Sequence, residues 1–86
     1  MFLATVSNLA TEEQRKKWIP LIQNPNIIGC YAQTELGHGS DVKHLETTAT
    51  FDRKSDEFVI ETPTLTSTKW WPGDMGRFAN YALVMA

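Results

Sequence analysis

TEEQRKKWIPLIQNPNIIGCYA, residues 11–32, joins a helix signal, a break and a strand signal within one short stretch. Thr11 offers a capping hydroxyl and Gln14 follows three residues later, the spacing of a capping box. Glu12 and Glu13 fall in the first turn, and Arg15, Lys16 and Lys17 lie beyond it, an order that suits the helix dipole. Trp18, Leu21 and Ile22, with Gln14, form an edge at i, i+3, i+4 spacing. These features predict a helix over about 12–23, with Pro20 kinking or ending it near Ile19. Asn24-Pro25-Asn26 breaks the chain. Ile27-Ile28-Gly29-Cys30-Tyr31-Ala32 then reads as a short buried strand, with Cys30 a small buried hydrophobe.

Beyond residue 32 the character is β throughout. Thr34 to Asp41, with two glycines and several polar residues, reads as a loop. Thr47-Thr48-Ala49-Thr50-Phe51 and Phe58-Val59-Ile60 are β-branched and aromatic, and the polar run 52–56 between them predicts a hairpin. Past Pro63, Leu65-Thr66-Ser67-Thr68 suggests a short edge segment. Pro72-Gly73 and Gly76 signal turns, and Tyr81 to Met85 is a last strand. The fold class expected is α+β, one N-terminal helix followed by four or five short strands. No internal repeat or low-complexity tract is visible. The apolar close Tyr81-Ala82-Leu83-Val84-Met85-Ala86 reads as a cut through a buried strand, so a piece of a larger protein is expected.

Composition narrows the function classes. Eighty-six residues, 42% hydrophobic and 21% charged, suffice for one small core and lack the signature of disorder. The formal net charge of −2, without a basic stripe, argues against a nucleic-acid partner. No run approaches the ~20 apolar residues of a membrane span. A single cysteine excludes an internal disulfide.

Two stretches carry candidate chemistry. In Tyr31-Ala32-Gln33-Thr34-Glu35-Leu36-Gly37-His38-Gly39-Ser40-Asp41-Val42, Gly37 and Gly39 allow close backbone approach and aim N–H groups at an anion. Thr34 and Ser40 can donate to phosphate or a ring heteroatom. The same Gly-x-Gly pattern also serves as a plain turn, and it is neither a dinucleotide fingerprint nor a P-loop. In Lys69-Trp70-Trp71-Pro72-Gly73, adjacent indoles on a strand point to opposite faces, so one packs inward and the other meets a flat ring, unless both are core. His38 and His44 have no cysteine or carboxylate partners at metal-ligand spacing, so no metal site is expected. Glu35 and Asp41 read as solvated or capping carboxylates sooner than as an acid–base pair. Ser40 lacks a nucleophile elbow.

The Tyr31–Ser40 stretch, Leu45-Glu46-Thr47-Thr48-Ala49-Thr50 and Lys69-Trp70-Trp71-Pro72-Gly73, in that order after Thr11-Glu12-Glu13-Gln14 and Lys17-Trp18-Ile19-Pro20, together resemble the peroxisomal acyl-coenzyme A oxidases of the acyl-CoA dehydrogenase superfamily. The resemblance covers essentially the whole chain. It implies that residues 1–26 end an N-terminal helical domain. Residues 27–86 would then be most of a mostly antiparallel, β-barrel-like middle domain, here incomplete. It implies FAD as cofactor, bordered by Tyr31, Gln33 and Thr34, with Trp71 and Gly73 against the isoalloxazine. Gly37, His38, Gly39 and Ser40 would form a turn near the FAD pyrophosphate and the CoA end of the substrate, with His38 and Ser40 toward substrate.

The reaction so implied converts a fatty acyl-CoA to the trans-2-enoyl-CoA, the first step of β-oxidation. Electrons pass to O2 and give hydrogen peroxide, in a peroxisomal homodimer. The catalytic glutamate is expected in a C-terminal helical bundle outside these residues, so this stretch alone is expected to be inactive. Dehydrogenases of the superfamily carry Trp-Ile-Thr or Trp-Ile-Ser where this chain has Trp71-Pro72-Gly73. By that comparison the missing hydroxyl would leave room at the flavin edge, as expected of an oxidase. The competing readings are a dehydrogenase serving an electron-transfer flavoprotein, and a non-enzymatic β-domain that binds a partner through its aromatics.

Overall fold

The computed structural model describes residues 1–24, 26–73 and 76–86; Pro25, part of the expected break, lies outside them. The elements in order are α1 (Phe2–Leu9), α2 (Glu12–Ile22), β1 (Gly29–Ala32), a 3-10 turn (Val42–His44), β2 (Thr48–Asp52), β3 (Glu57–Glu61) and β4 (Tyr81–Val84). They fall into two compact units, Met1–Tyr31 with Gly73–Leu83, and Ala32–Pro72 with Val84–Ala86.

In the first unit, α2 starts as its sequence predicts. The Gln14 amide donates to Thr11 Oγ1 at 3.2 Å and the Thr11 amide donates to Gln14 Oε1 at 2.9 Å, both halves of the capping box. Pro20 neither ends nor breaks the helix, which runs on to Ile22. Its missing N–H removes one bond close to the C-terminus, and the next turn still closes through Gln23 N to Ile19 O at 3.1 Å. A preceding helix, α1, has no counterpart in the sequence reading. Its cap residue, Met1, makes no side-chain cap bond, so the usual start signal is absent. Tertiary contacts hold it instead: Val6 is buried, Arg15 Nη1 donates to Ser7 O at 3.0 Å, and the Phe2 ring lies on Gly29 so closely that a Cβ there would collide with it. The Trp18 ring meets Tyr81 edge-on at 6.0 Å. Asn80 fastens the chain after the break, accepting from Ile28 N at 2.8 Å and donating to Asn26 O at 2.7 Å.

Strands β1 and β4 pair. The Tyr81 amide donates to Ile28 O at 3.3 Å and the Met85 amide to Ala32 O at 3.0 Å, so the two strands run in the same direction. That departs from the mostly antiparallel sheet expected. The physical reason is the long connection between them, which permits a parallel crossover where a hairpin loop would not.

In the second unit, β2 and β3 form the expected antiparallel hairpin, Thr48 opposite Glu61 and Phe51 opposite Phe58. Its turn is shaped by Asp52 Oδ1, which accepts from Lys54 N at 3.0 Å, and by Asp56 at φ 57°. The Phe51 and Phe58 rings lie 5.2 Å apart and both are exposed. Residues 65–68 are a turn and not an edge strand: Ser67 N and Thr68 N donate back to Thr64 O and Leu65 O, each at 3.2 Å. The architecture is α+β, with two separate two-stranded sheets and no closed barrel among the described residues, four strands being too few to close one.

Candidate functional site

The centre of the second unit is polar. Residues 34–37 and 66–70 run side by side as an irregular antiparallel ladder. Gly37 N donates to Thr66 O at 2.9 Å, Leu36 N to Thr68 O at 2.8 Å and Trp70 N to Thr34 O at 2.9 Å, with a bridge between Glu35 and Lys69. Glu35 and His38 exchange backbone bonds of 3.1 and 3.0 Å, closing a tight turn over Leu36-Gly37. Gly37 is required there by space, because an added Cβ would lie 2.7 Å from Thr66 Cβ. The two stretches singled out by sequence are thus hydrogen-bonded neighbours.

Within that ladder Glu35 is 1% exposed, so of the solvated or capping roles expected from sequence the solvated one is excluded, and its carboxylate takes backbone N–H groups instead. Its Oε1 accepts from Glu46 N at 2.7 Å. Its Oε2 accepts from Thr47 N at 2.9 Å, Thr47 Oγ1 at 2.5 Å and Lys69 Nζ at 3.2 Å. Burial pushes the carboxyl pKa up, but these hydrogen bonds outweigh it and hold the group at about 2. The Lys69 ammonium spends its other two protons on Gln33 O at 2.9 Å and Met85 O at 2.7 Å. Nothing in the sequence joins two charges 34 positions apart; a lone carboxylate between an apolar strand and a glycine turn was the available hint.

His38 Nε2 meets Glu46 Oε2 at 2.8 Å, and His44 Nδ1 meets Asp41 Oδ1 at 2.8 Å, so both histidines do have carboxylate partners. Asp41 is only three residues from His44, a local pair; Glu46, eight residues from His38, is brought to it by the fold of the loop. Glu35, His38 and Glu46 each bring a ligand atom within 4.8 Å of the others. Their oxygens are already committed: Glu46 also accepts from Thr66 Oγ1 at 2.6 Å and Thr64 Oγ1 at 3.1 Å, bonds that with His38 hold its carboxyl below the usual range. The cluster is therefore a hydrogen-bonded network around a turn, not an open ligand set.

Of the other expected site residues, Gln33, Thr34, Gly39, Ser40 and Trp71 belong to the second unit, and Tyr31 and Gly73 to the first. Thr34 is half-buried at the ladder, while Gly39 and Ser40 are exposed. Gln33 also lines a cleft of about 350 Å³ with Val42, Lys43, Leu45, Met85 and Ala86. The two indoles do not divide into one inward and one outward, since Trp70 is 57% and Trp71 88% exposed. Trp71 stands at φ 68°, a left-handed backbone that a bulky residue ahead of proline adopts only under constraint. A Cβ on Gly73 would meet nothing within 4 Å among the described residues. An exposed flat indole near a ladder carrying a hydroxyl residue is chemically suited to a planar heteroaromatic ring.

Residues 1–28 match the acyl-coenzyme A oxidase N-terminal family. The whole chain is 60% identical to peroxisomal acyl-coenzyme A oxidase 1 of Arabidopsis thaliana and 51% identical to that of Rattus norvegicus, covering 13% of each. Among solved structures, an acyl-CoA oxidase from tomato aligns over 100% of this chain and 13% of its own, with 58% identity and a TM-score of 0.94. Acyl-CoA oxidase-2 of Caenorhabditis elegans, bound with FAD, ascaroside-CoA and ATP, aligns over the same shares at 55% identity and a TM-score of 0.91. Along all of its 86 residues, the chain is homologous to one segment of the peroxisomal acyl-coenzyme A oxidases.

Proposed function

We propose that the chain supplies one wall of the FAD site in an acyl-CoA oxidase. The observation that carries this is the ladder joining Thr34 to Trp70, which puts the Gln33–Thr34 segment beside the exposed, conformationally constrained Trp71. Gln33, Thr34 and Trp71, with Tyr31 and Gly73, would hold the flavin, and Gly39 and Ser40 its pyrophosphate side. His38 and Ser40 would face the CoA end of the substrate. The donor set fits: an indole face for a flat ring, a hydroxyl and an amide side chain for its heteroatoms, and glycines where backbone approaches.

The reaction removes one hydrogen from each of the α and β carbons of a fatty acyl-CoA, giving the trans-2-enoyl-CoA, while O2 is reduced to hydrogen peroxide. Bound FAD supplies the two-electron chemistry, and the protein supplies position and a base. Glu35 is no candidate for that base, because its oxygens are saturated with donors and its pKa is low. The base is assigned to a glutamate of the C-terminal bundle, so these residues alone are inactive. Residues 1–26 would end the N-terminal helical domain and 27–86 form most of a barrel-like middle domain of a homodimer. The peroxisomal relatives support a peroxisomal location.

The test is peroxide release by the full-length enzyme given a fatty acyl-CoA in air with no added acceptor. One peroxide per enoyl product is expected. An absolute requirement for an electron-transfer flavoprotein would make it a dehydrogenase instead.

A further inference from the structure

We propose that the buried Glu35–Lys69 ion pair is a positioning device for the flavin wall, locking the register of the Gln33–Thr34 segment against Lys69–Trp71; this rests on the FAD reading above. The pair is out of water, with side-chain exposures of 0% for Glu35 and 8% for Lys69. Lys69 holds Gln33 through its backbone carbonyl, and Glu35 is the chain neighbour of Thr34. Lys69 also stands two residues before Trp71. The ammonium holds Gln33 by its carbonyl, Glu35 by its carboxylate and Met85 by its carbonyl, so all three protons have acceptors.

The backbone ladder alone leaves register underdetermined. It has three bonds, and the spacing changes between Leu36–Thr68 and Gly37–Thr66. A ladder that short and uneven can shift by a residue, which would turn each side chain to the opposite face. The pair forbids the shift, because moving Lys69 away from Glu35 strands a buried carboxylate and a buried ammonium together. Thr47 completes the lock by donating both its N–H and its O–H to the same carboxylate oxygen, with its hydroxyl lying 3.3 Å from Ser67 O. Glu35 and Lys69 are therefore positioning residues, and flavin affinity and flavin spectrum depend on them at second hand.

The experiment uses the full-length oxidase and its Glu35→Gln, Lys69→Met and Glu35→Gln/Lys69→Met variants. FAD dissociation constants are read from flavin fluorescence, and the environment of bound flavin from its visible absorption bands. Glu35→Gln and Lys69→Met are each expected to weaken FAD binding by about tenfold or more and to shift the bands. The double variant is expected to lose less than Lys69→Met alone, because the stranded carboxylate is gone. Thr47→Val removes one donor and keeps the pair; it is the mild variant should the others not fold, with an expected loss of about threefold. A purely structural pair would lower thermal stability and leave both flavin readouts of the folded protein at wild-type values, and that result overturns the proposal. Trp71→Ala is run alongside. If it moves the flavin readouts while the Glu35, Lys69 and Thr47 variants do not, positioning fails and the wall stands. If Trp71→Ala leaves them unmoved, the wall reading itself fails and takes the proposal with it.

Discussion

The Trp70 amide donates to the Thr34 carbonyl at 2.9 Å, joining two sequence stretches that chain order keeps 36 positions apart. This bond makes a single surface out of two motifs. Around it stand a saturated carboxylate, a saturated ammonium and a tryptophan in a left-handed backbone, and each gives a measurable consequence.

The folded pKa of Glu35, about 2, lies below its ordinary 4.5. The carboxylate therefore contributes stability that is full above about pH 4.5 and is lost as pH falls toward 2. Amide exchange at Glu46 and Thr47, which donate to this carboxylate, reports it directly: their protection factors should fall through that window, and Glu35→Gln should flatten the pH dependence.

Gly29→Ala places a Cβ into the Phe2 ring. The helix α1 must shift or the ring must leave its rotamer, a destabilisation of about 1–3 kcal/mol. Faster amide exchange along Phe2–Leu9, relieved when Phe2 is also cut to alanine, is the expected pattern.

Thr11→Ala removes one half of the capping box and should cost about 0.5–2 kcal/mol of local stability in α2. The Gln14 amide, left without its acceptor, is the position where exchange should accelerate most.

Trp71→Gly relaxes the positive φ and is expected to stabilise the apoprotein by up to about 1 kcal/mol. The same change removes the indole face, so FAD binding should weaken. Thermal melting without FAD and flavin titration should move in opposite directions, and a loss of stability without loss of affinity would contradict this account.

Gly73→Thr introduces a hydroxyl at a glycine whose added Cβ would meet no described residue within 4 Å. In the full-length enzyme it should slow flavin reoxidation by O2 by roughly tenfold, about 1.4 kcal/mol of barrier. Stopped-flow mixing of reduced enzyme with oxygenated buffer measures it; an unchanged rate removes Gly73 from the oxygen chemistry.

Much of the local structure was legible in the sequence. The capping box at Thr11 and Gln14, the hairpin about 52–56 and the buried Cys30 all depend on residues close in sequence, or on composition within one short run. Helix α1 was not legible, because it lacks a side-chain cap and is held by Gly29 and Arg15 from outside itself. The turn at 65–68 looks like an edge strand in sequence because β-branched residues also serve turns when Ser67 and Thr64 bond one another, Thr64 N to Ser67 Oγ at 3.0 Å and Ser67 Oγ to Thr64 O at 2.7 Å.

The amino-acid order by itself determined the helix-then-strand sequence and the residue types of the candidate flavin wall, since capping, periodicity and turn chemistry act over a few residues. Tertiary structure alone decided that β1 and β4 run parallel, that Glu35 is buried against Lys69, and that both indoles stand exposed. These depend on which distant segments share a hydrogen-bond ladder. A buried charge persists only where folding brings it a partner, and no local pattern records which partner that will be.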